Sequence, residues 1–150
     1  MAIEIVVAKA HLAQLADTEI QKEISSIETE LNSGDFAFAD NTVNTVFIKA
    51  IYRHIDRKML TVCLFVNKTG YAIRELHGEL RLHFKNSSAK IAKATINFDD
   101  AFMGEVKENQ ALLVHINIPV KGLAADQEFD FSELNGTFEN VRVTPAESHT

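Results

Sequence analysis

The feature that most restricts what this chain can fold into is a period of two. Residues 75–84 read ELHGELRLHF, with Leu76, Gly78, Leu80, Leu82 and Phe84 on one side and Glu75, His77, Glu79, Arg81 and His83 on the other. Successive side chains of a strand point to opposite faces, so strict alternation predicts a strand with one flank in a core and a polar flank outside. The same period governs most of the chain after Gly34. Strands are predicted over 46–55 and over 59–66, with a tight turn at Ile55-Asp56-Arg57-Lys58 between them; the second is apolar on both flanks, as a central strand buried on two sides would be. Turns are predicted at 67–70 and 85–88. A strand over 90–98 would point Ala92, Ala94, Ile96 and Phe98 inward, and one over 111–120 would carry Leu112, Val114, Ile116 and Ile118 on one face. Residues 121–135 read as acidic and irregular, and 138–144 as a last short strand. Strands joined by short turns, with no helix between neighbours, predict antiparallel pairing and exclude a parallel α/β sheet.

Before Gly34 the period is helical. Leu12, Leu15, Ala16, Ile20, Ile24, Ile27 and Leu31 recur every three or four residues and draw one stripe on a helix over 11–31, which Asn32-Ser33-Gly34 should stop. The other face carries Asp17, Glu19, Glu23, Glu28 and Glu30. The stripe is expected to pack on its own domain, the alternative being a homodimer or a partner helix on the same seam. The predicted fold class is therefore mainly β: an antiparallel immunoglobulin- or fibronectin-like β-sandwich preceded by one N-terminal amphipathic helix. With 150 residues, 46% of them hydrophobic, the chain suits one domain. Its expected parts are a helical segment over 1–34, the sandwich over 35–145 and a polar tail over 146–150.

Charge is segregated along the sequence. Up to Val43 there are two bases against eight acids, from Asn44 to Phe98 ten against three, and from Asp99 onward three against ten. A basic middle allows an anion-binding surface over 44–98. Nucleic acid is not expected as a partner, because stacking platforms are few: there is no Trp, and only Tyr52 and Tyr71. The N-terminal stretch has no basic leader, and no run approaches the ~18 apolar residues of a membrane span, so the expected location is cytoplasmic or on the cytoplasmic side of a membrane, with association to the cell envelope as the alternative.

Catalytic chemistry has little to stand on. No G-x-S-x-G elbow, glycine-rich phosphate loop or nucleotide fingerprint is present. Cys63 lies in the apolar run Leu60-Thr61-Val62-Cys63-Leu64-Phe65-Val66 and reads as a core position rather than a nucleophile. Asp99-Asp100 reads as a turn, although paired acids also serve calcium or acid/base sites. Asn67-Lys68-Thr69, Asn86-Ser87-Ser88 and Asn135-Gly136-Thr137 fit the N-glycosylation pattern but read as turn residues. A metal or ligand site could be built on His77 and Glu79, which stand roughly 7 Å apart on one strand face, if a neighbouring strand supplied His54 or His115. The candidate partner-binding residues are Glu19, Glu23 and Glu30 on the helix and Arg53, Arg57 and Lys58 around the first hairpin. No cofactor is expected, and the chain is expected to be a monomer or a homodimer through its helix.

Laid out in order, these elements resemble the SLAP domain of S-layer-associated and accessory-Sec assembly proteins of Gram-positive bacteria. The likeness runs from about His11 to Pro119. It is carried by Leu64-Phe65-Val66-Asn67, by Ile73, Leu80 and Leu82, by Lys90-Ile91-Ala92 leading to Phe98, by Gly104-Glu105 and by Ile116-Asn117-Ile118-Pro119. The resemblance implies a noncatalytic β-sandwich interaction module tied to the cell envelope or its export machinery, with an unidentified protein as partner.

Overall fold

The computed structural model describes residues 3–8, 18–33, 38–130 and 132–146, without the side chains of Glu19, Ile20, Glu30 and Ser33. The predicted helix start over 11–17, its stop at Gly34 and the end of the polar tail lie outside these residues. In chain order the elements are β1 (Glu4–Val7), α1 (Thr18–Ser33), β2 (Val43–Arg53), β3 (Lys58–Asn67), β4 (Ile73–Phe84), β5 (Lys90–Ile91), β6 (Ala94–Phe98), α2 (Asp100–Met103), β7 (Gln110–Lys121), β8 (Gln127–Asp130) and β9 (Leu134–Pro145). The protein is mainly β. One sheet has the order β1-β7-β3-β2-β8, with β5 also beside β7, and the other the order β6-β4-β9.

The apolar run of β3 explains the centre of the molecule. Met59, Cys63 and Phe65 belong to a core shared with Leu76, Leu80 and Leu82 of β4, so the two sheets pack face to face. Val62, Leu64 and Val66 point to the opposite face, where they meet Ile24, Ile27 and Leu31 of α1 and Ile3 and Ile5. A strand sandwiched in this way has no polar flank to show, which is why alternation is missing there. Gly78 stands on the core side of β4 because a Cβ there would lie 2.6 Å from the Phe138 ring. That ring packs on Phe65 with centroids 5.1 Å apart.

Burial sets the chemistry of Cys63. Desolvation pushes its thiol from an ordinary 9.0 up to about 12, so near neutral pH it is protonated and a poor nucleophile. Native protein is expected to be inert to a disulfide thiol reagent at about pH 8 and to react stoichiometrically once unfolded. Prompt reaction of the native form would show that this core opens. The raised value means that the fold favours the neutral thiol. Its stabilising effect is complete below the ordinary value and is lost as pH climbs towards 12.

Several elements differ from expectation. A strand, β1, precedes the helix and pairs with β7 in parallel, the exception to antiparallel pairing. Asn32, read as a helix stop, accepts the Ile3 N–H at 2.8 Å and donates to the Ile3 carbonyl at 3.0 Å, while Glu28 accepts the Ile5 N–H at 2.8 Å. Side chains of α1 thus satisfy backbone groups that β1 would otherwise leave bare. The strand predicted over 90–98 is broken: β5 pairs with β7 in the first sheet, β6 pairs with β4 in the second, and Ala92 at the switch is exposed. β8 forms inside the supposedly irregular 121–135, held on β2 with Phe129 buried. Asp99 caps α2, its Oδ1 accepting the Phe102 N–H at 2.9 Å, so this acid serves a turn.

Candidate functional site

The polar flank of β4 lies between β6 and β9 and is engaged with both. His77 has Nδ1 3.0 Å from Asn97 Oδ1 and Nε2 3.4 Å from Glu75 Oε1, so oxygens of its own sheet occupy both ring nitrogens. Glu75 Oε1 also accepts from Thr144 Oγ1 at 3.1 Å. Arg81 Nε donates to Glu139 Oε1 at 3.1 Å, and Lys93 Nζ lies 3.6 Å from Glu79 Oε2. With Arg81 and Glu139 about half exposed, such cross-strand pairs stabilise by only a few tenths of a kcal/mol each. The face is a ladder of mutually satisfied charges.

The structure does not bring the candidate metal ligands together. His77 and Glu79 are on the outer face of the β6-β4-β9 sheet. His115 projects from β7 on the outer face of the other sheet, where it meets Glu23 of α1. His54 follows β2 at the end of the molecule, its Nδ1 3.0 Å from the buried Tyr52 hydroxyl and its N–H donating to Asp126 Oδ1 at 2.8 Å. Among the described residues no three His, Cys, Asp or Glu side chains are placed to share an ion.

The helix acids also turn out differently from the sequence reading. Glu23, placed on the solvent face by periodicity, points at the sheet: Oε2 is 3.0 Å from Lys49 Nζ, and Oε1 is 3.6 Å from His115 Nε2, buried and without a hydrogen bond among the described residues. Glu28 likewise faces β1. These two acids link the helix to its own domain. The side chains of Glu19 and Glu30 lie outside the described residues. Arg53, Arg57 and Lys58 do gather, around the β2–β3 turn, with Arg53 and Lys58 directly opposite each other across the pair.

Two features had no sequence signal strong enough to find them. One is Asn67, read as a turn residue, which is fully buried at the end of β3 and therefore closed to glycosylation in the folded chain. The other is the outer edge of β9. That strand is 12 residues long, pairs with β4 on one side, and pairs with no strand among the described residues on the other. Asn140, at φ 53°, marks the irregularity where its register with β4 shifts. Beside this edge runs the first half of β2, which β8 leaves uncovered because β8 pairs only with residues from Lys49 to Tyr52. Phe47 there, and Phe138, Val141 and Val143 on β9, are only partly buried at the margin of the main core. Thr45 Oγ1 is buried without a hydrogen-bond partner among the described residues.

No family model, curated protein or solved structure compared with the chain matches it.

Proposed function

We propose that the chain is a noncatalytic protein-binding module of immunoglobulin-like build, whose partner adds an extended segment to the open edge of β9. The observation that carries this reading is the 12-residue edge, unpaired by any second strand among the described residues, with a half-covered apolar seam beside it. Long unpaired edges are normally blunted or covered, as side chains of α1 cover β1 here, because their free N–H and C=O groups template further pairing. Strand addition uses those groups for affinity and alternate side chains for specificity.

Strand order supports the immunoglobulin-like description. β2-β3-β7 facing β6-β4-β9 follows the A-B-E and C′-C-F arrangement of such sandwiches, in which the position beyond F belongs to a final strand, G. An incoming segment at β9 would take that position. The likeness to SLAP domains agrees with an assembly role at the cytoplasmic side of the membrane or in the envelope, and we include both in the proposal.

Photo-crosslinking side chains placed one at a time at Thr137, Asn140 and Arg142 are expected to capture a discrete partner from source lysate, while the same group at His83 or Lys93 captures none. Equal capture from the sheet face, or none from β9, would remove the edge from the proposal. Hydrolytic or transfer activity lost on His77→Ala would defeat the noncatalytic reading altogether.

A further inference from the structure

At the end of the molecule formed by the β2–β3 turn, basic residues stand opposite one another, with Asp56, Asp126 and Glu128 as the acids at the same end. In register, Arg53 stands opposite Lys58 and Lys90 opposite Lys121. Like charges directly opposite on antiparallel strands destabilise a sheet. None of these four, nor Arg57 in the turn, has an ion pair with a described residue, whereas the cations of the β4 face do. The strand order β5-β7-β3-β2 brings the two pairs to the same end of one sheet: Lys58 faces Pro119 on β7, and Lys121 with its partner Lys90 follows two residues beyond it. Arg57 itself holds φ 54°, a conformation that glycine or asparagine would adopt with less strain.

At the tip of the same turn sits Ile55, 90% exposed and the most exposed large hydrophobic side chain described. An isolated apolar side chain on a surface needs no explanation. One that crowns a turn flanked by unpaired cations has the composition of a site that meets a charged, partly apolar surface. Asp56 beside it is the acid at the tip, and Asp126 nearby is engaged with the His54 N–H.

We propose that this end docks on an anionic lipid bilayer, with Ile55 entering the interface and Arg53, Arg57, Lys58, Lys90 and Lys121 meeting the headgroups. The opposite end of the strands carries more acids than bases, Glu4, Asp99, Asp100, Glu105 and Glu108 against Lys68, Arg74 and Lys107. The molecule is therefore polarised along its strands and would approach a negative surface with the cationic end first. The net charge of −6 does not forbid this, because at physiological ionic strength charges act over only about 8 Å and the local basic residues dominate. The β9 edge runs along the side of the molecule, so this site is independent of the proposed strand addition.

The test is sedimentation of the full chain with vesicles of phosphatidylcholine alone or containing one-third phosphatidylglycerol. Binding to the anionic vesicles is expected to be at least tenfold tighter and to fall steeply with added salt. Each basic residue near such a surface contributes about 1 kcal/mol, a factor of about five, so Lys58→Gln and Lys121→Gln should each weaken binding about fivefold. Ile55→Ser, at a position that touches no core, should weaken it measurably, and Lys107→Gln at the acidic end should leave it unchanged. Equal binding to both vesicle types would overturn the proposal. So would insensitivity to Lys58→Gln and Lys121→Gln, or loss of binding in millimolar inorganic phosphate, which would assign these basic residues to small anions.

Discussion

Replacing Leu82 by alanine is expected to lower stability by about 2 to 5 kcal/mol, the range for truncating a buried leucine. Leu82 is 2% exposed in the core between the sheets, and its Cδ2 lies so close to the backbone of Gly136 that any Cβ there would sit 2.6 Å from it. The β9 backbone is pressed onto this side chain, and truncation leaves a void that a paired strand cannot easily close. His83, the next residue, points away from the core and is exposed. His83→Ala is expected to cost less than about 0.5 kcal/mol, as at an ordinary surface site. Denaturant melts of the two variants, compared at constant slope, check the pair. A histidine variant as damaged as the leucine variant would mean that the polar flank of β4 is engaged by something other than its own sheet.

That contrast was legible in the sequence because alternation and burial are the same fact seen twice. A slip of one residue along β4 would exchange the two flanks, expose Leu76, Leu80 and Leu82 together and bury Glu75, Glu79 and Arg81. The double-sided burial of β3 was legible for a related reason, since only a strand covered on both faces tolerates Val62, Cys63, Leu64 and Phe65 in succession. Periodicity also marked Ile24, Ile27 and Leu31 as the buried side of α1.

What escaped was decided by contacts between distant segments. Nothing local marks the break between Ile91, which pairs with β7, and Ile96, which stays with β4, because Ala92, Ala94, Ile96 and Phe98 keep one alternating phase across it. β8 has a single inward residue, Phe129, too little to register as a period. Hydropathy placed Glu23 outside, yet Lys49 and His115 on two other strands draw it in. The covering of β1 by Asn32 and Glu28, and the want of a second partner strand for β9 among the described residues, likewise depend on segments 20 residues or more away. The basic segment was visible as composition, but the opposition of Arg53 to Lys58 and of Lys90 to Lys121 exists only in the register.

Asn67 is the residue where local reading failed furthest and where the second large effect is expected. Its side-chain amide donates to the Tyr71 carbonyl at 2.9 Å and to the Val106 carbonyl at 3.0 Å, and its Oδ1 accepts from the Thr69 N–H at 2.9 Å and from the Thr69 hydroxyl at 2.6 Å. Its own carbonyl accepts the Asn109 N–H at 2.9 Å. One fully buried side chain thus joins the end of β3, the 68–72 turn and the connection before β7. Alanine would strand the buried Thr69 N–H and weaken the pairing of two carbonyls, at roughly 1 to 3 kcal/mol for each group left unsatisfied. Asn67→Ala is expected to cost about 3 kcal/mol in a denaturant melt, against less than about 0.5 for Asn86→Ala in the exposed 85–88 turn. Asn67→Asp keeps the size and the bonds to Thr69 but sets an acceptor against two carbonyls, so near neutral pH it should cost at least as much as alanine. A loss below about 1 kcal/mol for Asn67→Ala would mean that water replaces these bonds without penalty, and that the turn is held by its backbone alone.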